Sequence, residues 1–358
     1  MNIAIDITSA FTNNPTGIGK VGKEYFSVIL NQVLPHNVTF CYRFSRRLKL
    51  TLPTLQGLSK TRLKPLWNGL WLKRKINLFH GMDNYLPQPG PQLNLLTLYD
   101  LIVFSDQNFC PPAWKNQMKK KILRIISRAN YFCVPSELTR QAFLNIFPHY
   151  ENQIRVIPLG VSNIFFHTRK FIRKEILGQF NITKPFVLFI GTIEKRKNIL
   201  RIIKGFNKIR EKKSFQLVLV GKAGFGAEEI LSEIRKTPEI LRLSYVEDDP
   251  VLAQLYAQAQ LFLYPSLQEG FGLPVLEAMA SGTPVITSKN SPMEEFSKGA
   301  AILVDPASEE EISRAIEEVL YSGEQRSKMI EAGIKISKTL TWEENLTKTV
   351  KLYQEIVK

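Results

Sequence analysis

The chain has 358 residues, 44% hydrophobic and 22% charged, which excludes a disordered protein and provides enough apolar surface for two cores. No apolar run reaches the length of a membrane span, and MNIAIDITSA lacks a basic leader, so neither a transmembrane helix nor a signal peptide is expected. The formal net charge of +16 calls for an acidic counterpart: nucleic acid, an anionic membrane surface or an acidic substrate.

In chain order, strands are expected at 2–8, 37–43, 76–80, 93–98 and 131–134, with helices at 19–34 and 113–128. A second series of short apolar runs follows at 154–158, 186–190, 216–220, 243–246, 261–264 and 284–287. Helical patterns lie between them at 198–210, 251–258 and 308–320. Such alternation predicts parallel sheets covered by helices on both faces. The pattern restarts after VIPLGVSN (156–163), which predicts a linker between a domain of residues 1–160 and one of residues 161–340. Two doubly wound domains facing each other would place a ligand cleft at the carboxyl ends of their strands. Cys41, Cys110 and Cys133 are odd in number and scattered, which suits a reduced, cytoplasmic protein.

The stretch GIGKVGKE (17–24) opens the first expected helix. Gly17, Gly19 and Gly22 spell a dinucleotide fingerprint, while Gly17, Gly22 and Lys23 spell a P-loop that fails at Glu24. A P-loop needs a hydroxyl at that place to hold Mg²⁺, and a carboxylate there would repel the phosphates. The fingerprint is weakened because FTNNPT (11–16) separates it from the strand. The second strand ends in FSRR, where NAD enzymes carry an acidic residue, although Arg46 and Arg47 would suit NADP. Glycines that permit a tight turn and close packing explain the stretch as well. Otherwise Gly17, Ile18 and Gly19 present backbone N–H groups at a helix N-terminus, suited to a diphosphate or sugar oxygen.

The positive charge peaks in KTRLKPLWNGLWLKRK (60–75) and WKNQMKKKILRIISR (114–128). In the first, Leu63, Leu66, Trp67, Leu70 and Trp71 have helical spacing between basic flanks, although Pro65 and Gly69 oppose a helix. A core-facing stripe and a segment lying on an anionic leaflet both fit.

Downstream, PSLQEGFGLPVLEAMASGTPVITS (265–288) holds Glu269 and, seven residues later, Glu277. Gly270, Gly272 and Pro274 predict a loop first and a helix after it. Consecutive amides in such a loop suit sugar hydroxyls and phosphate oxygens, and both glutamates could face one ligand. This stretch resembles the retaining, nucleotide-sugar-dependent glycosyltransferases of family 4, and the resemblance extends over nearly the whole chain. GTIEKRKN (191–198) is similar to that family's donor-diphosphate segment, and PTGIGK (15–20) to its N-terminal glycine loop. LFHGMDNYLP (78–87), YVEDDPVLAQLYAQAQLFLYPS (245–266) and TWEENLTKTVKLYQEIV (341–357) also resemble family segments, the last a helix that returns to the N-terminal domain.

The resemblance implies a GT-B fold of two Rossmann-like domains, N-terminal for the acceptor and C-terminal for the donor, facing a central cleft. It implies that Arg196 and Lys197 stabilise a departing diphosphate, aided by the amides of Gly17, Ile18 and Gly19. By the same resemblance Glu269 binds sugar hydroxyls, and the amides of Gly270, Phe271, Gly272 and Leu273 fix sugar and phosphate. Glu277 would accept hydrogen bonds from the ribose, and Val246 would complete the donor site. Segments like GTIEKRKN are frequent in mannosyl- and rhamnosyltransferases of bacterial surface polysaccharide and lipopolysaccharide synthesis. GDP-mannose is therefore the first expectation as donor, with a glycan or lipid-linked acceptor, peripheral membrane attachment and no nucleic acid. No D-x-D pair is placed for Mg²⁺, so neither a metal nor another cofactor is expected.

Two positions depart from the family. Lys195 stands where Pro is usual, and TLYDL (97–101) puts Tyr99 where the family has an active-site His, next to Asp100. A phenol is a poor base at neutral pH, so Tyr99 is either tolerated or favours a 6-deoxy donor by its apolar ring. The alternatives are thus a rhamnosyltransferase, or a sugar-nucleotide epimerase of GT-B shape with Asp100 as an acid/base. An NADP reductase would leave Glu269 and Glu277 unexplained, and a nucleic-acid-binding protein would account for the charge alone.

Overall fold

A computed structural model describes the chain except for residues 13–16, 33, 52–60, 68, 245, 247 and 358. Pro15, Thr16, Lys60 and Tyr245 of the motifs above therefore lie outside the described residues. The chain forms two compact units: 1–105 with 112–160 and 342–358, and 106–111 with 161–341.

In the N-terminal unit, seven strands pair in the order β3-β2-β1-β4-β5-β6-β7, and every pairing is parallel. They are β1 (Asn2–Asp6), β2 (Asn37–Arg43), β3 (Thr61–Leu66), β4 (Leu78–Gly81), β5 (Leu93–Thr97), β6 (Tyr131–Val134) and β7 (Ile154–Val156). The inner strands are near-continuous apolar runs because helical crossovers leave them no wet side. Ile3, Ala4, Ile5, Leu78, Phe79, Leu95 and Leu96 are all fully buried. The C-terminal helix Trp342–Val357 belongs to this unit. A polar chain ties it down: His80 bonds Tyr353 Oη and Thr97 Oγ1, each at 2.7 Å, and Tyr353 meets Tyr25 at 3.1 Å. Burial pushes the His80 pKa down to about 3, so this ring is neutral.

In the C-terminal unit, six parallel strands run in the order β10-β9-β8-β11-β12-β13. They are β8 (Phe186–Ile190), β9 (Gln216–Val220), β10 (Ile240–Leu243), β11 (Leu261–Tyr264), β12 (Val285–Ser288) and β13 (Ala301–Val304). The chain starts inside this sheet at β8, winds out through β9 to β10, then crosses to β11 on the other side of β8. That reversal makes β8/β11 the switch point, where the loops leaving two adjacent strands diverge and open a crevice. The first sheet has the same reversal at β1/β4.

The helical spacing of Leu63–Trp71 does not form one helix: residues 61–66 form the edge strand β3, followed by a short helix, Leu70–Lys75. An edge strand tolerates Pro65, whose missing N–H would break a helix interior. The strand expected at 243–246 instead spans Ile240–Leu243, where it pairs with Leu217–Val220 of β9. β13, absent from the expected strands, is a four-residue edge run.

Candidate functional site

At the carboxyl ends of β8 and β11, two loops are laced together. The loop after β8 tightens into a single turn, Lys195–Lys197, and Asn198 then takes a left-handed conformation (φ 62°) before the helix Ile199–Lys208. Asn tolerates that region because its short polar side chain can bond locally or to neighbours. Here its side-chain amide donates to Pro265 O at 2.9 Å and Pro306 O at 2.6 Å, and Leu267 N donates to Arg196 O at 2.9 Å. This brace sets Arg196 and Lys197 against Glu269.

The Arg196 guanidinium donates to Glu269 Oε2 and to Gln268 O, both at 3.0 Å, and to Glu194 Oε1 at 2.7 Å. Lys197 Nζ bonds the other Glu269 oxygen and Tyr264 Oη, the latter at 2.6 Å, and Tyr264 Oη lies 3.1 Å from Glu269 Oε1. Only 9% of the Lys197 and Glu269 side chains is exposed, so neither charge can rely on water. Burial alone would raise the Glu269 pKa; Lys197 and Arg196, with hydrogen bonds from Lys197 and Tyr264, hold it down at about 2. Burial lowers the Lys197 pKa, and Glu269 opposes that shift. The cluster is thus a pair of cations whose anionic partner sits in the same crevice. Chemically it can hold a phosphate through the cations and a hydroxyl through the carboxylate.

After Glu269, Gly270–Gly272 lead into the helix Leu273–Ala280, the loop-then-helix order expected for this segment. Gly272 has φ 96°, and a Cβ there would overlap the Met293 side chain, so no other residue fits comfortably. Glu277 is in the first turns of that helix and accepts from the buried Tyr256 at 2.9 Å. Val246 is buried and follows β10. Tyr264, Asn198 and Glu194 were not singled out by sequence. Tyr264 ends an apolar run, LFLY, that reads as core, and only its neighbours reveal a polar duty.

Gly17, Ile18, Gly19, Tyr99 and Asp100 belong to the N-terminal unit. Gly17 opens the helix Gly17–Asn31, and a Cβ on Gly22 would press on Ala10 at 3.2 Å, so this third glycine has a packing reason. Asp100 is exposed, and its Oδ1 accepts from Ile102 N at 3.2 Å. Tyr99 lines a small cavity of about 20 Å³ with His80, Thr97, Cys133, Trp342 and Asn345. The Tyr99 hydroxyl is buried with no hydrogen-bond partner, and burial raises its pKa well above the usual phenol value, so it cannot serve as a base. Among the described residues no cluster of three His, Cys, Asp or Glu side chains could hold a metal ion.

Residues 172–336 match the family described as Glycosyl transferases group 1. The chain is 32% identical over 281 residues to the O-antigen chain mannosyltransferase RfbU of Salmonella typhimurium, covering 75% of this chain and 76% of that protein. It is 28% identical over 287 residues to the O-antigen chain mannosyltransferase B of Escherichia coli, covering 78% and 74%. Its fold is similar to that of sucrose-phosphate synthase from Thermosynechococcus elongatus, with a TM-score of 0.75 at 21% identity over 99% and 98% of the two chains.

The ion cluster has a pH signature. The folded-state value of Glu269 lies below the ordinary 4.5, so its stabilisation is fully present above about pH 4.5 and is lost as the pH falls toward 2. Glu269→Gln removes the anion from the buried Lys197 and one of the two carboxylates on Arg196, and should cost about 3 kcal/mol at pH 7 in denaturant titrations. The gap to wild type should close between pH 4.5 and 2; a gap independent of pH would contradict the cluster.

Proposed function

The chain belongs to the group 1 glycosyl transferases, and on that premise we propose that it is a retaining mannosyltransferase using GDP-mannose to build a cell-surface polysaccharide. The observation that carries this reading is the Glu269–Lys197–Arg196 cluster at the β8/β11 switch point. The mannosyltransferase names of the O-antigen relatives support mannose, rather than a 6-deoxy sugar, as the group moved.

In this reading Arg196 and Lys197 hold the donor diphosphate, Glu269 orients the sugar hydroxyls, and Glu277 takes the ribose. The amides of Gly270–Leu273 complete the oxygen contacts. The bond from the sugar C1 to the diphosphate oxygen breaks, and its electron pair leaves with the diphosphate, whose growing charge the two cations stabilise. The acceptor hydroxyl attacks C1 from the same face and passes its proton to the departing phosphate oxygen. The products are GDP and a mannosylated acceptor, and no further cofactor takes part.

Incubation with a panel of labelled sugar nucleotides and surface-glycan acceptors should show transfer from GDP-mannose with release of GDP. Arg196→Ala and Lys197→Ala should each cost ~2–4 kcal/mol of transition-state stabilisation, and Glu269→Ala should abolish transfer. Near-normal turnover by Glu269→Ala would refute the site assignment.

We place the acceptor on a lipid carrier at an anionic leaflet. Among the described residues no helix is long and apolar enough to cross a membrane. The N-terminal unit nevertheless exposes Leu48 (90%) and Trp67 (73%), and the Trp67 ring meets Phe44, over which Arg47 lies. The helix Pro112–Ile126 buries Ile122, Ile125 and Ile126 but leaves Trp114 and its lysines largely outside. Exposed aromatics among cations suit an interfacial site. Flotation should show binding to anionic vesicles that salt reverses; equal binding to neutral vesicles would refute it.

A further inference from the structure

The reading above leaves one exposed aromatic residue beside the site without a role. The loop after β9, residues 221–226 (GKAGFG), is sewn to the loop after β8. Ile193 N donates to Lys222 O at 2.8 Å, and Gly224 N donates to Ile193 O at 2.9 Å. Its glycines are required by contact. A Cβ on Gly221 would overlap the carbonyl oxygen of Gly191, one on Gly224 would come 3.2 Å from Glu194 Oε2, and Gly226 (φ 71°) lies against the Lys195 stem. Glu194 is itself bound to Arg196. A backbone pinned this closely carries Phe225 to the surface, where 38% of it is exposed. Leaving an apolar ring in water forgoes the burial energy a Phe normally contributes.

The strand order says which part of a ligand this ring would meet. Read along the carboxyl edge, the loops carry Val246 after β10, Phe225 after β9, Arg196 and Lys197 after β8, and Glu269 after β11. A donor with its sugar at Glu269 and its diphosphate at the two cations has its nucleoside left to place. From Glu269 after β11 to the cations after β8, such a donor would run toward the β10 edge of the sheet. The β9 loop is the next one outward from the cations in that direction.

We infer that Phe225 is the stacking platform for the base of the donor nucleotide. This rests on the proposed donor site and adds a residue to it. A π-face accepts any base, so Phe225 supplies affinity, while the choice of base falls to polar groups.

Calorimetry with GDP, UDP and inorganic pyrophosphate tests the assignment. Phe225→Ala should weaken the preferred nucleoside diphosphate on the order of tenfold and leave pyrophosphate binding unchanged. Phe225→Trp should retain nucleotide affinity. Unchanged nucleotide affinity in Phe225→Ala, or an equal loss for pyrophosphate, would overturn the platform while leaving the donor site intact. A wild-type protein that binds none of the three would overturn the donor site and the platform together.

Discussion

The candidate site depends on one buried ion cluster. Glu269 sits between Lys197 and Arg196, with Lys197 and Glu269 nearly closed off from water and Arg196 partly so. Desolvating any one of them alone would cost several kcal/mol, so each is tolerated only because the others are placed correctly. That requirement reaches into the fold. The cations leave β8 and the carboxylate leaves β11, two strands adjacent in the sheet but separated by about seventy residues of chain. Asn198 bridges the loops that follow β11 and β13, so the turn carrying the cations cannot drift from the carboxylate.

On the proposed assignment, the same cluster is both stable and ready for a phosphate. In the free protein Glu269 and Glu194 together balance the two cations and keep them in position. A bound diphosphate would compete with it for Lys197 and Arg196, releasing the carboxylate toward sugar hydroxyls. Glu194 and Gln268 O keep hold of the guanidinium, so its direction survives the exchange. Preorganised charge of this kind needs little rearrangement when charge develops on the leaving group.

Much of this was legible in the sequence, for physical reasons. Buried parallel strands must be apolar throughout, so runs such as FVLFI and QLVLV announce themselves. Edge strands carry no such obligation. β3 contains Lys64 and Pro65 and reads as an amphipathic helix, since leucine and tryptophan spacing cannot show that β2 is waiting beside it. Glu269, Arg196 and Lys197 were legible through their motifs, and their mutual contact was not. Tyr264 and Asn198 were hidden, one inside an apolar run and the other behind a left-handed backbone that only the folded loop requires. Tyr99 shows the converse. Its position was singled out, while its hydroxyl is buried and its side chain lines a cavity shared with the C-terminal helix.

In the proposed donor site Glu269 and the donor diphosphate share the same two cations, and the affinity of the Glu269→Gln protein for GDP measures this sharing directly. If the carboxylate competes for Lys197 and Arg196, removing its charge should leave GDP bound at least as tightly as in wild type while sugar transfer is lost. A fall in GDP affinity that parallels the loss of transfer would contradict the account, because Glu269 would then be supporting the phosphate site rather than competing for it.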